Sequence, residues 1–240
     1  MRVVTWNLNH RAAPRRIPGW IASELRGKSP DAVLLSEYVE GLEHVRFVAE
    51  MAGAGLRFAS FSKRVEKQNQ TAIFSVLPQI PGTILASDLD PSITPNFLHA
   101  NVGGTNLISF RMPAFESPFR ALKRATWDLL FAALEPLKAG RTVIGGDFNT
   151  AMTDPVSGCG DCLQALVKSG WIHAAPTTGH SYKHKASGSE RVIDHVFASP
   201  SFRALKSEFS WGFLDQIPEA KRGVVGYPDH SILVADLEPV

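Results

Sequence analysis

Short apolar runs that end in polar residues recur along this chain. The stretch 141–150, RTVIGGDFNT, places a β-branched run before two glycines, after which Asp147 and Asn149 stand two positions apart. Such a run predicts a buried strand ending in a polar turn, with the glycines leaving room for close backbone approach. Residues two apart in an extended backbone point to one side, so we expect Asp147 and Asn149 to face a common ligand while Phe148 packs the other way. Asp and Asn after glycine are also ordinary turn formers, and the pattern alone leaves that alternative open.

Three further strands have the same polar-tipped design. The segment VVTWNLN carries Asn7 near its end, AVLLSE ends at Glu37, and VIDHVF contains Asp194. A fourth element, YPDHSILVADL, begins with Asp229 and His230 and then enters a strand. The alternative for this last pair is a structural cap after the proline. Repeated polar strand ends predict one site assembled from distant parts of the chain.

The spacing of apolar positions predicts an α/β fold with helices between strands. Residues 2–7, 17–26 and 32–36 read as an early strand-helix-strand unit. Between residues 56 and 110, short alternating runs divided by Pro, Gly and Asn predict a meander of antiparallel strands that forms one of two sheets. The run 83–86 is one strand of this meander. Further helices are predicted at 42–52, 119–137 and 160–169, and further strands at 181–182 paired with 191–198, at 205–213 and at 231–237. Two sheets packed face to face with helices outside follow from this order.

The polar motifs occur in a characteristic order along nearly the whole chain. They are TWN, a Glu that ends an apolar strand, GDFN, IDH and PDHS. This set resembles the endonuclease/exonuclease/phosphatase family, which includes pancreatic-type deoxyribonucleases, exonuclease III-type abasic-site endonucleases, inositol polyphosphate 5-phosphatases and neutral sphingomyelinases. No linker-like shift in composition divides the chain, so we predict a single domain over residues 1–240. The resemblance implies that it folds as a four-layered α/β sandwich of two packed mixed β-sheets flanked by helices. It also implies an active site at one end of the sandwich, where strand ends from both sheets meet.

The resemblance further implies a site for Mg²⁺ or Mn²⁺ at these strand ends. Glu37 matches the family glutamate that holds the metal, with Asn7 nearby, and Asp229 is expected to ligate or tune the same ion. Mg²⁺ is a hard cation that takes one or two protein carboxylates and keeps several waters, which suits this oxygen-rich set. The alternative for Glu37 is a solvated carboxylate at a strand end.

The same resemblance assigns four catalytic residues for phosphodiester hydrolysis. Asp147 matches the aspartate that positions or deprotonates the attacking water, and Asn149 matches the asparagine that hydrogen-bonds the phosphate. His230 matches the terminal histidine that donates to a phosphoryl oxygen, and Asp194 matches the aspartate that orients this histidine. Neighbouring carboxylates favour a charged imidazole, which suits that role. His195 alternates to the opposite face of its strand and is predicted to be a packed structural residue.

One position departs from the family pattern. Many members carry Tyr or His ahead of the proline that follows the central strand, whereas this chain reads SFRMPAF, with Arg111 or Phe110 there. A guanidinium can clamp phosphoryl oxygens with two parallel hydrogen bonds, so we predict that Arg111 is catalytic and binds substrate. The alternative is that Arg111 points away and leaves the site incomplete.

Basic residues gather in loops that this topology can bring to the active end. Arg15 and Arg16 follow the first strand, and Lys183 and Lys185 lie near the second half of the site motifs. Such residues track phosphates along a nucleic acid, so we predict a metal-dependent endo- or exonuclease that binds DNA through these four residues. The alternatives are ordinary charged loops, a phosphatase or phosphodiesterase of small or lipid phosphates, and a binding module without catalysis.

Composition and net charge exclude few functional classes for this protein. A net charge of +2 and a pI of 8.6 neither identify a nucleic-acid partner nor oppose a polyanionic substrate. The chain shows no signal-peptide pattern and no apolar run long enough to span a bilayer, so we expect a soluble, cytoplasmic monomer without a membrane partner. The two cysteines, Cys159 and Cys162, can be free thiols, a disulfide or redox pair, or part of a zinc site with His173 and His180.

Overall fold

The computed structural model describes residues 1–9, 17–66, 68–84, 93–114, 120–184, 187–222 and 224–240. Three of the basic residues predicted to bind substrate, Arg15, Arg16 and Lys185, lie outside these ranges. Among the helices in the described part of the chain, none is long and apolar enough to cross a bilayer.

Within these ranges the chain forms four α-helices and fourteen strands, joined by turns and short 3-10 segments. The helices are α1 (Trp20–Gly27), α2 (His44–Gly53), α3 (Arg120–Leu134) and α4 (Gly160–Lys168). The strands are β1 (Arg2–Asn7), β2 (Ala32–Tyr38), β3 (Phe58–Phe61), β4 (Gln70–Ser75), β5 (Gln79–Pro81), β6 (Phe97–Val102), β7 (Thr105–Arg111), β8 (Thr142–Asp147), β9 (Ile172–His173), β10 (Tyr182–Lys183), β11 (Glu190–Arg191), β12 (Asp194–Ala198), β13 (Phe202–Ser210) and β14 (Ile232–Pro239).

Two six-stranded sheets and a two-stranded ribbon organise these strands. The first sheet has the order β13-β14-β1-β2-β4-β3, the second has the order β5-β6-β7-β8-β12-β9, and β10 and β11 form the ribbon. Each large sheet contains one central parallel pair, β1 with β2 and β7 with β8, among antiparallel pairs. Both sheets are therefore mixed, and α1 and α3 are the crossover helices of the two parallel pairs.

Three apolar clusters show how the layers stack. Residues such as Leu34 and Val143 fill the space between the two sheets. On the outer face of the first sheet, α1 and α2 pack through residues such as Phe47. On the outer face of the second sheet, α3 and α4 pack through residues such as Trp127 and Leu163. Because each sheet buries apolar side chains on both faces, the four layers form, and the predicted four-layered α/β sandwich is confirmed.

The two parallel pairs carry polar residues to one end of the sandwich, called here the site end. The carboxyl ends of parallel strands lie together, so Asn7 at the end of β1 neighbours the part of β2 that leads to Glu37. Likewise Arg111, the last residue of β7, pairs with Asp147, the last residue of β8. Because β12 runs antiparallel to β8, its first residue, Asp194, pairs with Asp147. Residues far apart in sequence thereby meet at the site end.

Close packing beneath the site end depends on the two glycines of β8. Gly146 has a φ of 149°, and an added Cβ would lie 1.8 Å from the carbonyl oxygen of Phe110 in β7. A Cβ on Gly145 would lie 2.9 Å from Cδ1 of Leu34 in the facing sheet. The predicted close approach is confirmed, along the sheet at Gly146 and across the sandwich at Gly145.

Three predictions about the strands are wrong. The meander between residues 56 and 110 is divided between the sheets, with β3 and β4 in the first and β5, β6 and β7 in the second. The segment 191–198 is not one strand, because β11 pairs with β10 while β12 pairs with β8. Residues 83 and 84 form a bend, the rest of the predicted strand lies outside the described ranges, and the edge strand β5 precedes it. Alternation of apolar residues identifies a strand but not its partner, because either sheet can bury the same face.

Candidate active site

The structure brings the predicted site residues together at the site end. The first sheet contributes Asn7 and Glu37, and the second contributes Arg111, Asp147 and Asp194. His230 lies two residues before β14 of the first sheet. All of these side chains are buried except that of Arg111, which is 15% exposed. Asp229 is half-buried next to His230 in the chain. One connected cluster therefore forms, and the chemical roles assigned to its members stay predictions.

Asp147 lies at the centre of this cluster. Its Oδ1 accepts a hydrogen bond from the backbone N of Asn149 at 2.8 Å. Its Oδ2 accepts from Nδ2 of Asn7 and from Nδ2 of Asn149, both at 3.0 Å. Burial, together with repulsion from Asp194, raises the pKa of Asp147 to about 6. A carboxyl group with this pKa takes up and releases a proton near neutral pH, as a general base must.

Glu37 and Arg111 form an ion pair beside Asp147. Nη2 of Arg111 lies 2.8 Å and Nε lies 2.9 Å from Oε1 of Glu37, and Nε lies 4.0 Å from Oδ2 of Asp147. Burial lowers the pKa of Arg111, but attraction from Glu37 and Asp147 outweighs burial and raises that pKa. Arg111 therefore points into the cluster as a permanent cation.

Left-handed backbone conformations aim several of these polar side chains. The pairing of β2 with β4 shifts in register between Leu35 and Tyr38, and within this bulge Glu37 has a φ of 53°. Asn149 has a φ of 46°. Asn9, whose backbone N donates to Oδ1 of Asn7 at 2.8 Å, has a φ of 60°. This conformation costs a non-glycine residue roughly 1–2 kcal/mol. Such strain is concentrated at functional sites, where the surrounding structure holds it in place.

Asn149 reaches Asp147 through a tight turn and not along an extended backbone, so the predicted geometry is wrong. The carboxylate of Asp147 accepts from the backbone N of Asn149, which folds the chain back on itself. Nδ2 of Asn149 also donates to the carbonyl oxygen of Met112 at 2.8 Å. Both amide hydrogens thus have protein acceptors. To bind a phosphoryl oxygen, Asn149 must break one of these two hydrogen bonds.

Asp194 holds His230 on the other side of Asp147. Nδ1 of His230 lies 2.7 Å from Oδ2 of Asp194. Burial lowers the pKa of His230, but the attraction of Asp194 and the hydrogen bond to it raise that pKa to about 10. His230 is therefore an imidazolium at neutral pH, with both ring nitrogens as donors. Its backbone is held by Trp6, whose Nε1 donates to the carbonyl oxygen of His230 at 3.0 Å.

The chemistry of this cluster fits a hard divalent cation. Asp147, Asp194 and His230 form a group, found within the described residues, whose potential ligand atoms all lie within 4.8 Å of one another. His230 is a poor ligand because it is protonated, but Oδ1 of Asp194 is buried and has no hydrogen-bond partner in the described part of the chain. On the opposite side of Asp147, Asn7 donates from Nδ2 to Oε1 of Glu37 at 3.3 Å. Carboxylate oxygens on both sides of Asp147 can thus hold a cation such as Mg²⁺.

Ser181 and Tyr182 are supporting residues that the sequence patterns did not reveal. Oγ of Ser181 accepts from the backbone N of Asp194 at 3.0 Å, and its carbonyl oxygen accepts from the backbone N of Ser231 at 2.8 Å. Ser181 therefore ties together the chain segments that carry Asp194 and His230. The ring of Tyr182 lies 5.0 Å from that of His230, between centroids. A Ser-Tyr pair has no sequence signature, so only the fold reveals these contacts.

Lys123 is a third supporting residue that the motifs in the sequence do not identify. It is fully buried on α3, and its Nζ donates to the carbonyl oxygen of Asn149 at 2.7 Å. Burial lowers the pKa of Lys123. The available signal was its position, because a lysine three residues before Thr126 and four before Trp127 falls on the apolar face of the predicted helix.

His195 packs away from the cluster, as predicted. Its Nε2 lies 2.8 Å from the carbonyl oxygen of Thr150, and its Nδ1 lies 3.1 Å from Nε2 of His173. Its ring contacts that of Phe148, with 5.7 Å between centroids. Burial lowers the pKa of His195 to about 3 and that of His173 to about 4, so both rings are neutral.

Cys159 and Cys162 are buried free thiols. Sγ of Cys162 lies 2.7 Å from Nη1 of Arg124. Of the described residues, no group with metal-binding geometry contains either cysteine. The structure thus matches the free-thiol alternative.

The basic residues of the ribbon are paired with acidic partners. Lys183 is exposed, and its Nζ lies 3.5 Å from Oε1 of Glu190. Nη2 of Arg191 lies 2.8 Å and 2.6 Å from the two carboxylate oxygens of Asp154. Contact between Lys183 and a nucleic acid stays a prediction.

Comparison with known proteins identifies the fold independently. The chain is similar to an AP endonuclease from Archaeoglobus fulgidus, at 17% identity over 99% of each chain with a TM-score of 0.75. It is similar to a 3'-5' exonuclease from Neisseria meningitidis, at 18% identity over 99% of this chain and 100% of that chain with a TM-score of 0.70. A 3' phosphatase from Neisseria bound to a product DNA hairpin is 17% identical over 99% of each chain, with a TM-score of 0.70. No curated protein matches the sequence.

Identities this low show a shared fold and not a shared substrate. The family model described as "Endonuclease/Exonuclease/phosphatase family" matches residues 4–215, which span the strand ends from Asn7 to Asp194. The chain therefore belongs to the endonuclease/exonuclease/phosphatase family of hydrolytic phosphoesterases.

Proposed function

We propose that the protein is a divalent-metal-dependent nuclease that hydrolyses phosphodiester bonds of DNA. The observation that carries this proposal is the arrangement around Asp147, which is flanked by the ion pairs Glu37–Arg111 and Asp194–His230. Attack of water on phosphorus requires a base or orienting group for the water, donors for the phosphoryl oxygens and neutralisation of developing charge. This cluster offers all three.

In this mechanism Asp147 orients the attacking water and accepts its proton. Its pKa of about 6 leaves it mostly ionised at neutral pH, and its bonds to Asn7 and Asn149 fix its direction. Nδ1 of His230 is engaged by Asp194, so Nε2 is the nitrogen that donates to a phosphoryl oxygen. Preorganised donors of this kind stabilise charge in the transition state more than in the ground state.

A divalent cation would be held by Glu37 and an oxygen of Asp147, with Asn7 contributing if its amide oxygen turns toward the ion. When bound, it supplies charge neutralisation at the phosphoryl oxygens and orients the phosphate. The carboxylates of this chain set the position of that charge. The guanidinium of Arg111 adds a fixed second cation on the same side of Asp147.

DNA is the proposed substrate class because of two supporting observations. The fold neighbour from Neisseria is bound to a product DNA hairpin, and another neighbour is an AP endonuclease. In this chain the aromatic ring of Tyr182 adjoins His230, and the exposed Lys183 follows it on the ribbon. An aromatic face and a cation next to the reacting phosphate suit a nucleotide chain.

Hydrolysis assays with Mg²⁺ or Mn²⁺ test this function. The substrates are supercoiled plasmid, abasic duplex, single-stranded DNA, RNA and phosphoinositides. We expect cleavage of a DNA substrate that EDTA abolishes and added metal restores. Full turnover in metal-free buffer would reject metal dependence, and hydrolysis of phosphoinositides alone would favour the phosphatase alternative.

Salt dependence of binding distinguishes a nuclease from a small-molecule phosphatase. With catalysis blocked by Asp147→Asn, affinity for DNA should fall linearly on a log-log salt plot, because bound phosphates release counterions. Replacing Arg15 and Arg16 together by alanine, or Lys183 and Lys185 together, should reduce the slope by about one unit for each phosphate that the variant no longer binds.

A matched control removes two charges far from the site. Arg203 and Lys206 lie on β13, paired with the carboxyl-terminal half of β14, so their alanine variants should leave the slope unchanged. No binding at low salt, or a slope that neither the Arg15/Arg16 nor the Lys183/Lys185 substitution changes, would reject DNA as the substrate.

A further inference from the structure

Arg111 places a cation directly against Glu37, the carboxylate predicted to hold the metal. Two donors of Arg111, Nη2 at 2.8 Å and Nε at 2.9 Å, converge on the same oxygen, Oε1 of Glu37. The two side chains are only 15% and 5% exposed. Charges withdrawn from water in this way are weakly screened, so their interaction is stronger than that of a surface ion pair.

The charges of the contacting side chains nearly cancel. Among the side chains joined by these ion pairs, Glu37, Asp147 and Asp194 are three carboxylates and Arg111 and His230 are two cations, which leaves one net negative charge. With a neutral Tyr or His in place of Arg111, the same group would carry two. The half-buried Asp229, which attracts His230, adds a further negative charge beside them. A dication is attracted by this net charge, so Arg111 lowers that attraction by a full unit.

We propose that Arg111 and a divalent cation compete for Glu37, so that the guanidinium sets how tightly this protein holds its metal. The inference rests on the metal dependence proposed above. A dication approaching Oε1 of Glu37 meets both the charge of Arg111 and two N–H donors on the same oxygen. A phenol at this position would not oppose the cation by charge.

Binding of Mn²⁺ to the whole chain, measured by isothermal titration calorimetry without substrate, tests the competition. Arg111→Gln removes the charge and should raise the affinity at least about 10-fold, because a dication and a unit charge a few ångströms apart repel by that much even in water. Arg111→Lys keeps the charge and should stay within about threefold of wild type. As a control, Arg46→Gln removes a charge on α2 that is paired with Glu43 and Glu50, and it should leave Mn²⁺ affinity unchanged.

Thermal unfolding separates competition from a purely structural ion pair. In EDTA, Arg111→Gln leaves Glu37 without its buried counter-charge and Asp147 with His230 as its neighbouring cation, so the Tm should fall by several degrees. Saturating Mn²⁺ should raise the Tm of the variant more than that of wild type, because stabilisation grows with the ratio of ligand concentration to Kd. If the Arg111–Glu37 ion pair is purely structural, Arg111→Gln should lower the Tm by the same amount with and without Mn²⁺.

Unchanged or weaker Mn²⁺ affinity in folded Arg111→Gln overturns the inference, as does the absence of Mn²⁺ binding by both proteins. Should that variant fail to fold, Arg111→Met provides the same test. Hydrolysis assays on the same samples separate this inference from the proposed function. Hydrolysis by wild type together with unchanged metal affinity in Arg111→Gln rejects the competition alone. Raised affinity in Arg111→Gln with no hydrolysis of any phosphodiester by wild type rejects the proposed function alone.

Discussion

His230 and His195 are both buried, but their surroundings make His230 a cation and leave His195 neutral at pH 7. His230 bonds to Asp194, and its pKa is raised to about 10, whereas His195 bonds to a backbone carbonyl and a second histidine, and its pKa is lowered to about 3. The carboxylate that makes the difference is the residue directly before His195 in β12. Burial alone favours the neutral ring, and only a carboxylate partner reverses that preference.

This contrast follows from the alternation of side chains along two paired strands. Asp194 pairs with Asp147, and both side chains point into the cluster. Their chain neighbours His195 and Phe148 point to the opposite face, where their rings contact. One strand pair therefore presents chemistry on one face and packing on the other. Substitutions on the two faces should have different consequences.

The largest expected effect is loss of turnover on the face that carries the cluster. Asp147→Asn or His230→Ala should lower kcat by at least about 10²-fold, the scale of a positioned base or charged donor. His195→Gln should change kcat by less than about 10-fold, because His195 contacts a backbone carbonyl and not the reacting atoms. Steady-state kinetics with Mg²⁺ measure all three. Wild-type rates in folded Asp147→Asn and His230→Ala variants would mean that the active site lies elsewhere.

The next largest effect concerns Asp194, the carboxylate that raises the pKa of His230 and has no counterpart beside His195. Asp194→Asn should lower the pKa of His230 from about 10 toward the ordinary value of 6.5, because the attraction of Asp194 is lost. Turnover at pH 8 should fall by about 10- to 10²-fold as the ring becomes neutral. NMR titration of the imidazole measures the pKa, and Asp154→Asn, which alters the partner of Arg191, serves as the control. A His230 pKa that stays near 10 would contradict this account.

A smaller effect compares two supports of the turn after β8. Lys123 donates to the carbonyl oxygen of Asn149, and His195 lies within hydrogen-bond distance of that of Thr150. Lys123→Met should lower the free energy of unfolding by about 2–3 kcal/mol, since bonds to charged donors are the stronger ones, and His195→Gln by about 1 kcal/mol. Urea unfolding measures both. The reverse order would show that the neutral histidine and not the lysine holds the turn.

The smallest effect is a pair of opposite pH slopes in stability. The folded pKa of His230 lies above 6.5, so its contribution is fully present below pH 6.5 and is lost as pH rises toward about 10. The folded pKa of His195 lies below 6.5, so protons bind the unfolded chain more readily, and its contribution is lost as pH falls from 6.5 toward about 3.

Urea unfolding in EDTA checks the two signs. The stability difference between wild type and His230→Gln should be smaller at pH 9 than at pH 7. The difference between wild type and His195→Gln should be smaller at pH 5 than at pH 7. If the stability differences of both variants changed with pH in the same direction, the assignment of a charged His230 and a neutral His195 would be contradicted.

The sequence by itself determined the elements and most members of the site. Apolar periods placed the helices and most strands within a few residues of their observed bounds, and polar residues at strand ends identified Asn7, Glu37, Asp147, Asp194 and His230 as neighbours. The packing role of His195 also followed from alternation. These inferences succeed because the period of a helix or strand is a local property of the chain.

Only the tertiary structure decided which strands pair and how the members of the cluster bond to one another. It divided the meander between two sheets, folded Asn149 back onto Asp147, and placed Lys123 beneath that turn. It also brought Arg111 onto Glu37, from a strand in the other sheet. Such contacts depend on which faces are buried together across long sequence separations, and no local pattern encodes that choice.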